Sequence, residues 1–126
     1  MRRLTVAAVL LVASVCAGLA SMQDGRRVID VRAERFSFSP SEIVLEAGEE
    51  VELRITSDDT AHGFHIRGTG TNITIPKRGQ GAVTALVRLD KPGRYTFECS
   101  RMCGAGHNFM RGELVVRGQP AGAAAP

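Results

Sequence analysis

Tryptophan is absent and tyrosine occurs once, at Tyr95. Aromatics are therefore sparse, and no Lys/Arg cluster falls on one element, so a nucleic-acid-binding face is excluded despite a formal net charge of +3. The chain also lacks internal repeats and any acid/base pair that would suggest catalysis by the chain alone. With 126 residues there is no room for a second domain of ordinary size. Long apolar runs are missing except at the start, where Met1-Arg2-Arg3 precedes Leu4 to Ala20, a stretch that is apolar or small throughout. Such a segment, closing on Gly18-Leu19-Ala20, reads as an export signal at residues 1–20. At 17 residues, 4–20 sit at the short limit for crossing a bilayer, so a short membrane anchor is the rival reading. Cys16 lies inside this run and reads as a passive apolar residue. Loss of residues 1–20 would remove Arg2 and Arg3 and no acid, leaving 14 basic against 13 acidic residues. The exported part is thus nearly neutral, and a periplasmic or other extracytoplasmic location is expected.

Residues 21–27 read as a polar linker and 28–118 as one folded domain, followed by a small, Pro-capped tail at 119–126 that is expected to be disordered. Within the domain, Glu50–Thr56 and Ala82–Leu89 alternate polar and apolar residues with period two, the second presenting Val83, Ala85, Val87 and Leu89 on one face. Val28–Phe36, Glu42–Leu45, His62–Ile66, Asn72–Ile75, Arg94–Glu98 and Glu113–Arg117 are further strand candidates, rich in β-branched or aromatic residues. Turn residues recur between them, as in Ser39-Pro40-Ser41 and Asp90-Lys91-Pro92-Gly93. No helix is required. Many short strands with regular turns predict an all-β sandwich.

The chemistry concentrates in Cys99-Ser100-Arg101-Met102-Cys103-Gly104-Ala105-Gly106-His107-Asn108-Phe109-Met110. Thiolates, a thioether and an imidazole within twelve residues favour copper, while Mg²⁺ or Ca²⁺ would call for carboxylates, and this loop has none. Gly104 and Gly106 are expected to supply positive-φ turns that carry His107 and Met110 back over the cysteines. A Cys99–Cys103 disulfide would close only a short loop and stabilise weakly. A tetrahedral zinc site leaves Met110 unused, and a mononuclear blue-copper site leaves one cysteine unused. A thiolate-bridged pair of copper ions uses every ligand-type residue in the loop. A second imidazole must come from His62 or His65, and their odd spacing in a strand points them to opposite faces, so only one can serve.

The spacing Cys-x3-Cys-x3-His-x2-Met resembles the binuclear CuA signature of cytochrome c oxidase subunit II and nitrous oxide reductase. Asp59-Thr60-Ala61-His62-Gly63-Phe64 is similar to that family's upstream ligand segment. The resemblance runs from about Phe36 to Val116. It is greatest to the compact subunit II of bacterial and archaeal-type oxidases, through His62-Gly63-Phe64-His65, Gly68-Thr69 with Asn72-Ile73, and Pro92-Gly93-Arg94-Tyr95. It implies a Greek-key cupredoxin sandwich that passes single electrons, with Cys99 and Cys103 bridging two coppers. In the same way it implies His62 and His107 as one ligand each, Met110 as a weak axial ligand and the Arg101 carbonyl as another. The partners implied are a redox donor such as a cytochrome c and a haem-copper oxidase catalytic subunit. A free periplasmic carrier or a copper-supply protein is the alternative. Many family members carry Glu where Arg101 stands, using it to help bind Mg²⁺ against the catalytic subunit, and an aromatic patch with Trp for electron uptake. Here Phe36 and Phe38 are candidates for that patch, and Phe at strand spacing more often belongs to a core.

Overall fold

The computed structural model describes residues 25–118. Nine strands build two sheets: β1 Arg27–Glu34, β2 Ser37–Ser39, β3 Glu42–Glu46, β4 Glu50–Ser57, β5 His62–Ile66, β6 Asn72–Ile75, β7 Val83–Arg88, β8 Gly93–Glu98 and β9 Arg111–Arg117. One sheet runs β2-β1-β4-β7 and the other β3-β9-β8-β5-β6. β1 pairs in parallel with β4 and β3 with β9, while the remaining pairs are antiparallel. These parallel pairings join strands distant in sequence, as a sandwich with crossing connections requires.

Period-two alternation dictates the core. Val51, Leu53 and Ile55 of β4 point inward, as do Ala85 and Val87 of β7, Ile43 and Leu45 of β3, and Leu114 and Val116 of β9. Between the sheets Phe38, Phe64 and Phe97 pack as a trio with ring centroids 5.2–5.7 Å apart. Each such buried ring contributes roughly 1.5–3 kcal/mol. Phe97 is the penultimate residue of β8 and Phe64 lies within β5, so the trio anchors the two strands from which the metal-ligand candidates depart.

Several expected boundaries shift. β1 begins at Arg27 and stops at Glu34, because Arg35 and Phe36 turn the chain into β2, a three-residue strand that the sequence pattern did not reveal. β7 is shorter by one residue at each end, and β9 starts at Arg111, paired with Glu98. A single 3-10 turn, His107–Phe109, stands where no helical element was expected. Among the described residues no helix is long and apolar enough to cross a membrane. The signal or anchor at 1–20 and the tail at 119–126 lie outside the described residues.

Candidate metal centre

Three chain segments meet at one end of the sandwich. β5 opens on His62, β8 ends just before Cys99, and the loop from Cys99 to Met110 returns to β9 through the 3-10 turn. The loop is closed at its base by the Cys99 amide donating to the Met110 carbonyl at 3.0 Å, which brings the first and last ligand candidates together. Inside it, the Met110 amide donates to the His107 carbonyl and the His107 amide to the Gly104 carbonyl. The twelve residues thus form a compact cap.

The donor atoms lie in a chain of contacts. His62 Nδ1 is 3.9 Å from Cys99 Sγ, Cys99 Sγ is 3.6 Å from Cys103 Sγ, and Cys103 Sγ is 3.7 Å from His107 Nδ1. Met110 Sδ lies 3.8 Å from Cys103 Sγ, and the Arg101 carbonyl 3.0 Å from Cys99 Sγ. His62, Cys99 and Cys103 fall within 4.8 Å of one another. Bonds of about 2.0–2.3 Å in a tetrahedral site separate neighbouring donors by roughly 3.3–3.8 Å, so these spacings suit metal coordination. Both thiols are free, and 3.6 Å is far beyond the roughly 2.05 Å of a disulfide. His62, Cys99, Cys103 and Met110 are buried, whereas His107 is half-buried at the surface. Three sulfurs and two imidazoles with no carboxylate among them make a soft donor set that fits copper.

Supporting contacts fix these donor side chains. Asp59 Oδ1 lies 2.7 Å from His62 Nε2, and Asp59 also accepts from the amides of Arg35 at 2.8 Å and Thr60 at 2.7 Å. Burial works against ionisation of Asp59, but the bonds from His62, Arg35 and Thr60 outweigh it and hold the carboxyl below its usual range. A carboxylate only accepts, so Nε2 carries the imidazole proton and the Nδ1 lone pair faces Cys99. Arg35 also donates from Nε to the Cys103 carbonyl at 2.7 Å, so one turn between β1 and β2 grips both halves of the centre. Burial, then the neighbouring Cys99, pushes the Cys103 thiol up to about 11, so metal must displace a proton there.

Close approach explains the glycines. A Cβ on Gly63 would lie 2.1 Å from Ser100 Oγ and 2.8 Å from the Arg101 amide nitrogen, so the loop sits directly on β5. Gly104 has φ +145°, as expected for a positive-φ turn. Gly106 corrects the expectation: its φ is −92°, and what requires glycine is the Phe36 ring, 2.3 Å from a would-be Cβ. Phe36 therefore packs beneath the loop and Phe38 is core, and neither forms an exposed aromatic patch. His65 faces away, its Nδ1 3.8 Å from Glu98 Oε1. The supporting roles of Asp59, Arg35 and Phe36 emerge only from the fold. Asp59 stands three residues before His62, a signal that was available; Arg35 is 68 residues from Cys103, and no local pattern marks it.

Comparison with known proteins agrees with this geometry. Residues 4–116 match the family described as Cupredoxin-like domain. Cytochrome c oxidase subunit 2 of Thermus thermophilus is 38% identical over 88 residues, covering 69% of this chain and 63% of that protein. A second T. thermophilus relative of the same name is matched over 51% of its length, so the chain spans just over half to under two thirds of these relatives. Nitrous-oxide reductase of Cupriavidus necator is 31% identical over 99 residues, covering 75% of this chain and 15% of that one. Among solved structures, a heme-copper terminal oxidase dimer superposes with TM-score 0.65 at 28% identity, covering 76% of this chain and 68% of that chain. The periplasmic domain of subunit II of cytochrome oxidase of Bradyrhizobium japonicum, at TM-score 0.65 and 16% identity, shares the fold over 73% of this chain and 84% of its own. With two sheets, a loop rich in candidate metal donors at one end and this match over most of its length, the chain belongs to the cupredoxin-like domain family.

Proposed function

We propose that this chain is an extracytoplasmic electron-transfer protein that holds two copper ions between Cys99 and Cys103. The carrying observation is that each thiol has its own imidazole, His62 Nδ1 beside Cys99 and His107 Nδ1 beside Cys103, with the sulfurs 3.6 Å apart between them. One metal per thiol–imidazole pair, with both thiolates shared, uses this arrangement fully. In this reading His62 and His107 each hold one ion, Met110 gives a weak thioether contact, and the Arg101 carbonyl gives another. A single-metal site would leave either a thiol or Met110 without a role, although Met110 Sδ lies 3.8 Å from Cys103 Sγ.

When bound, a thiolate-bridged copper pair supplies a one-electron couple that changes geometry little. The chain's own residues do the rest. Asp59 fixes the tautomer of His62, Arg35 and Phe36 hold the loop, and the buried Phe64 and Phe97 keep the ligand-bearing strand ends in place. Half-buried His107 is the ligand nearest solvent and marks the side on which a redox partner docks.

The similarity to oxidase subunits supports delivery of electrons to a haem-copper oxidase catalytic subunit, with a cytochrome c as donor. A free carrier is the second reading: the family resemblance implies a Glu toward Mg²⁺ at that contact where this chain has Arg101, whose side chain forms no ion pair among the described residues. Loading the purified chain with copper, counting metal by native mass spectrometry and titrating it electrochemically tests the proposal. Two coppers and one electron per chain are expected. One copper, or retention of zinc with no redox couple, would contradict it.

A further inference from the structure

We infer that the face around His107 is a docking surface for a redox protein whose contact patch is apolar at its centre and acidic at its rim. This assignment deepens the electron-transfer reading and rests on it. Four large apolar residues are exposed among those described, and the two most exposed, Phe109 at 80% and Met102 at 75%, both belong to the loop that carries the ligands. Val44 and Leu86 lie singly on strands. Exposed apolar side chains gathered at a functional loop mark an interaction site more than scattered ones do.

The surrounding charge sets the partner's sign. Arg101 and Arg111 are exposed in or beside the loop, and neither forms an ion pair among the described residues. The Arg111 guanidinium donates to the Asn108 carbonyl at 2.5 Å and acts on Glu98 through charge alone, so Arg67 and Arg111 together set two cations against that one carboxylate. Lys77 and Arg78, also exposed and without ion pairs among the described residues, lie in a turn tied to the centre by the Arg78 amide and the Asp59 carbonyl at 3.0 Å. Opposing them, Glu98 is already engaged, 2.6 Å from Arg67 and 3.8 Å from His65. A cleft of about 280 Å³ between Arg67, Glu98, His107, Asn108 and Arg111 reaches Cys99 and Met110 and offers cationic walls to an incoming carboxylate. Although residues 21–126 carry 14 basic against 13 acidic residues, the ligand-bearing end is basic. A basic partner would meet like charge there, while an acidic one would be steered in, with on-rates raised by about 10- to 1000-fold.

The test titrates the copper-loaded full chain with two probes of opposite charge: the acidic soluble domain of cytochrome b5 and a basic mitochondrial cytochrome c. Binding is read by calorimetry and NMR line broadening at low and high ionic strength. Cytochrome b5 is expected to bind at least about 10-fold more tightly than cytochrome c at low salt, and to lose about 10-fold in affinity when the Debye length shrinks from about 30 to 10 Å. Arg111→Glu should abolish that preference and Arg111→Lys retain it, while Phe109→Ser should weaken binding of cytochrome b5 without changing its salt dependence. Thermal unfolding of each variant confirms that it is folded. Tighter binding of the basic probe, no binding of either, salt-independent binding, or indifference to Arg111→Glu and Phe109→Ser overturns the assignment. Copper content is measured on the same samples and the titration is repeated on the metal-free chain. A failed copper reading therefore appears in the metal count, and a failed docking surface in the binding data.

Discussion

His62 and Asp59 form the contact that decides which imidazole nitrogen faces the cysteines: Nε2 is held at 2.7 Å by Asp59 Oδ1, and Nδ1 is left facing Cys99 Sγ at 3.9 Å. Asp59→Ala should free the ring and lower copper affinity by about 10- to 100-fold, the usual effect of losing a ligand-orienting partner. Competition against a chelator measures this, and nitrogen NMR of the metal-free chain should show the Nε2-protonated form in the parent and a tautomer mixture in the variant. Unchanged affinity and tautomer would remove Asp59 from the account.

Replacement of the two candidate histidines should give opposite results. His62 is fully buried beside Cys99, whereas His65 points to Glu98 on the other strand face. His62→Ala is expected to destroy the two-copper absorption spectrum, and His65→Ala to leave it nearly intact. The reverse ranking would overturn the assignment of this segment.

Gly63 should tolerate no side chain. In Gly63→Ala the new methyl meets Ser100 Oγ and, at 2.8 Å, the Arg101 backbone nitrogen, which cannot rotate away. A loss of roughly 1–3 kcal/mol in unfolding free energy is expected from such overpacking, together with weakened copper uptake. Because a backbone atom is involved, adding Ser100→Ala should restore only part of the stability.

Legibility of the sequence followed the range of the signals. Strict alternation made β4 and β7 readable, and the clustered Cys99, Cys103, His107 and Met110 announced a soft metal site within one loop. The odd spacing of His62 and His65 showed that only one could be a ligand; the family resemblance pointed to His62. β2 was hidden because three residues between two turns carry too little pattern, although Phe38 within it is central to the core. Arg35 and Phe36 were hidden for a different reason. Their roles arise where β1 turns beneath a loop some 68 residues later, a contact made by topology alone. Gly106 looked like a turn residue, but only the position of the Phe36 ring shows that space is what it supplies.

Acid sensitivity should arise partly at Glu49, remote from the metal. Burial resists its ionisation, but the Glu46 amide at 3.0 Å and the Arg27 guanidinium at 2.9 Å outweigh this and hold its pKa below 4.5. A folded-state value lowered relative to the unfolded chain contributes stability that is complete above about 4.5 and is lost as pH falls through the folded value. Glu49→Gln should therefore flatten the acid limb of the stability–pH curve below that point while changing little at pH 7 in its slope. Denaturant unfolding between pH 3 and 7 checks it, and identical slopes in parent and variant would contradict it.

Electron paramagnetic resonance of the copper-loaded, one-electron-oxidised chain tests the central claim most directly. Two thiolates shared between the His62 and His107 sides should spread one unpaired electron over two copper nuclei, so the hyperfine pattern should show coupling to two nearly equivalent coppers, with two coppers per chain. A four-line pattern from one copper nucleus, at one copper per chain, would contradict the account.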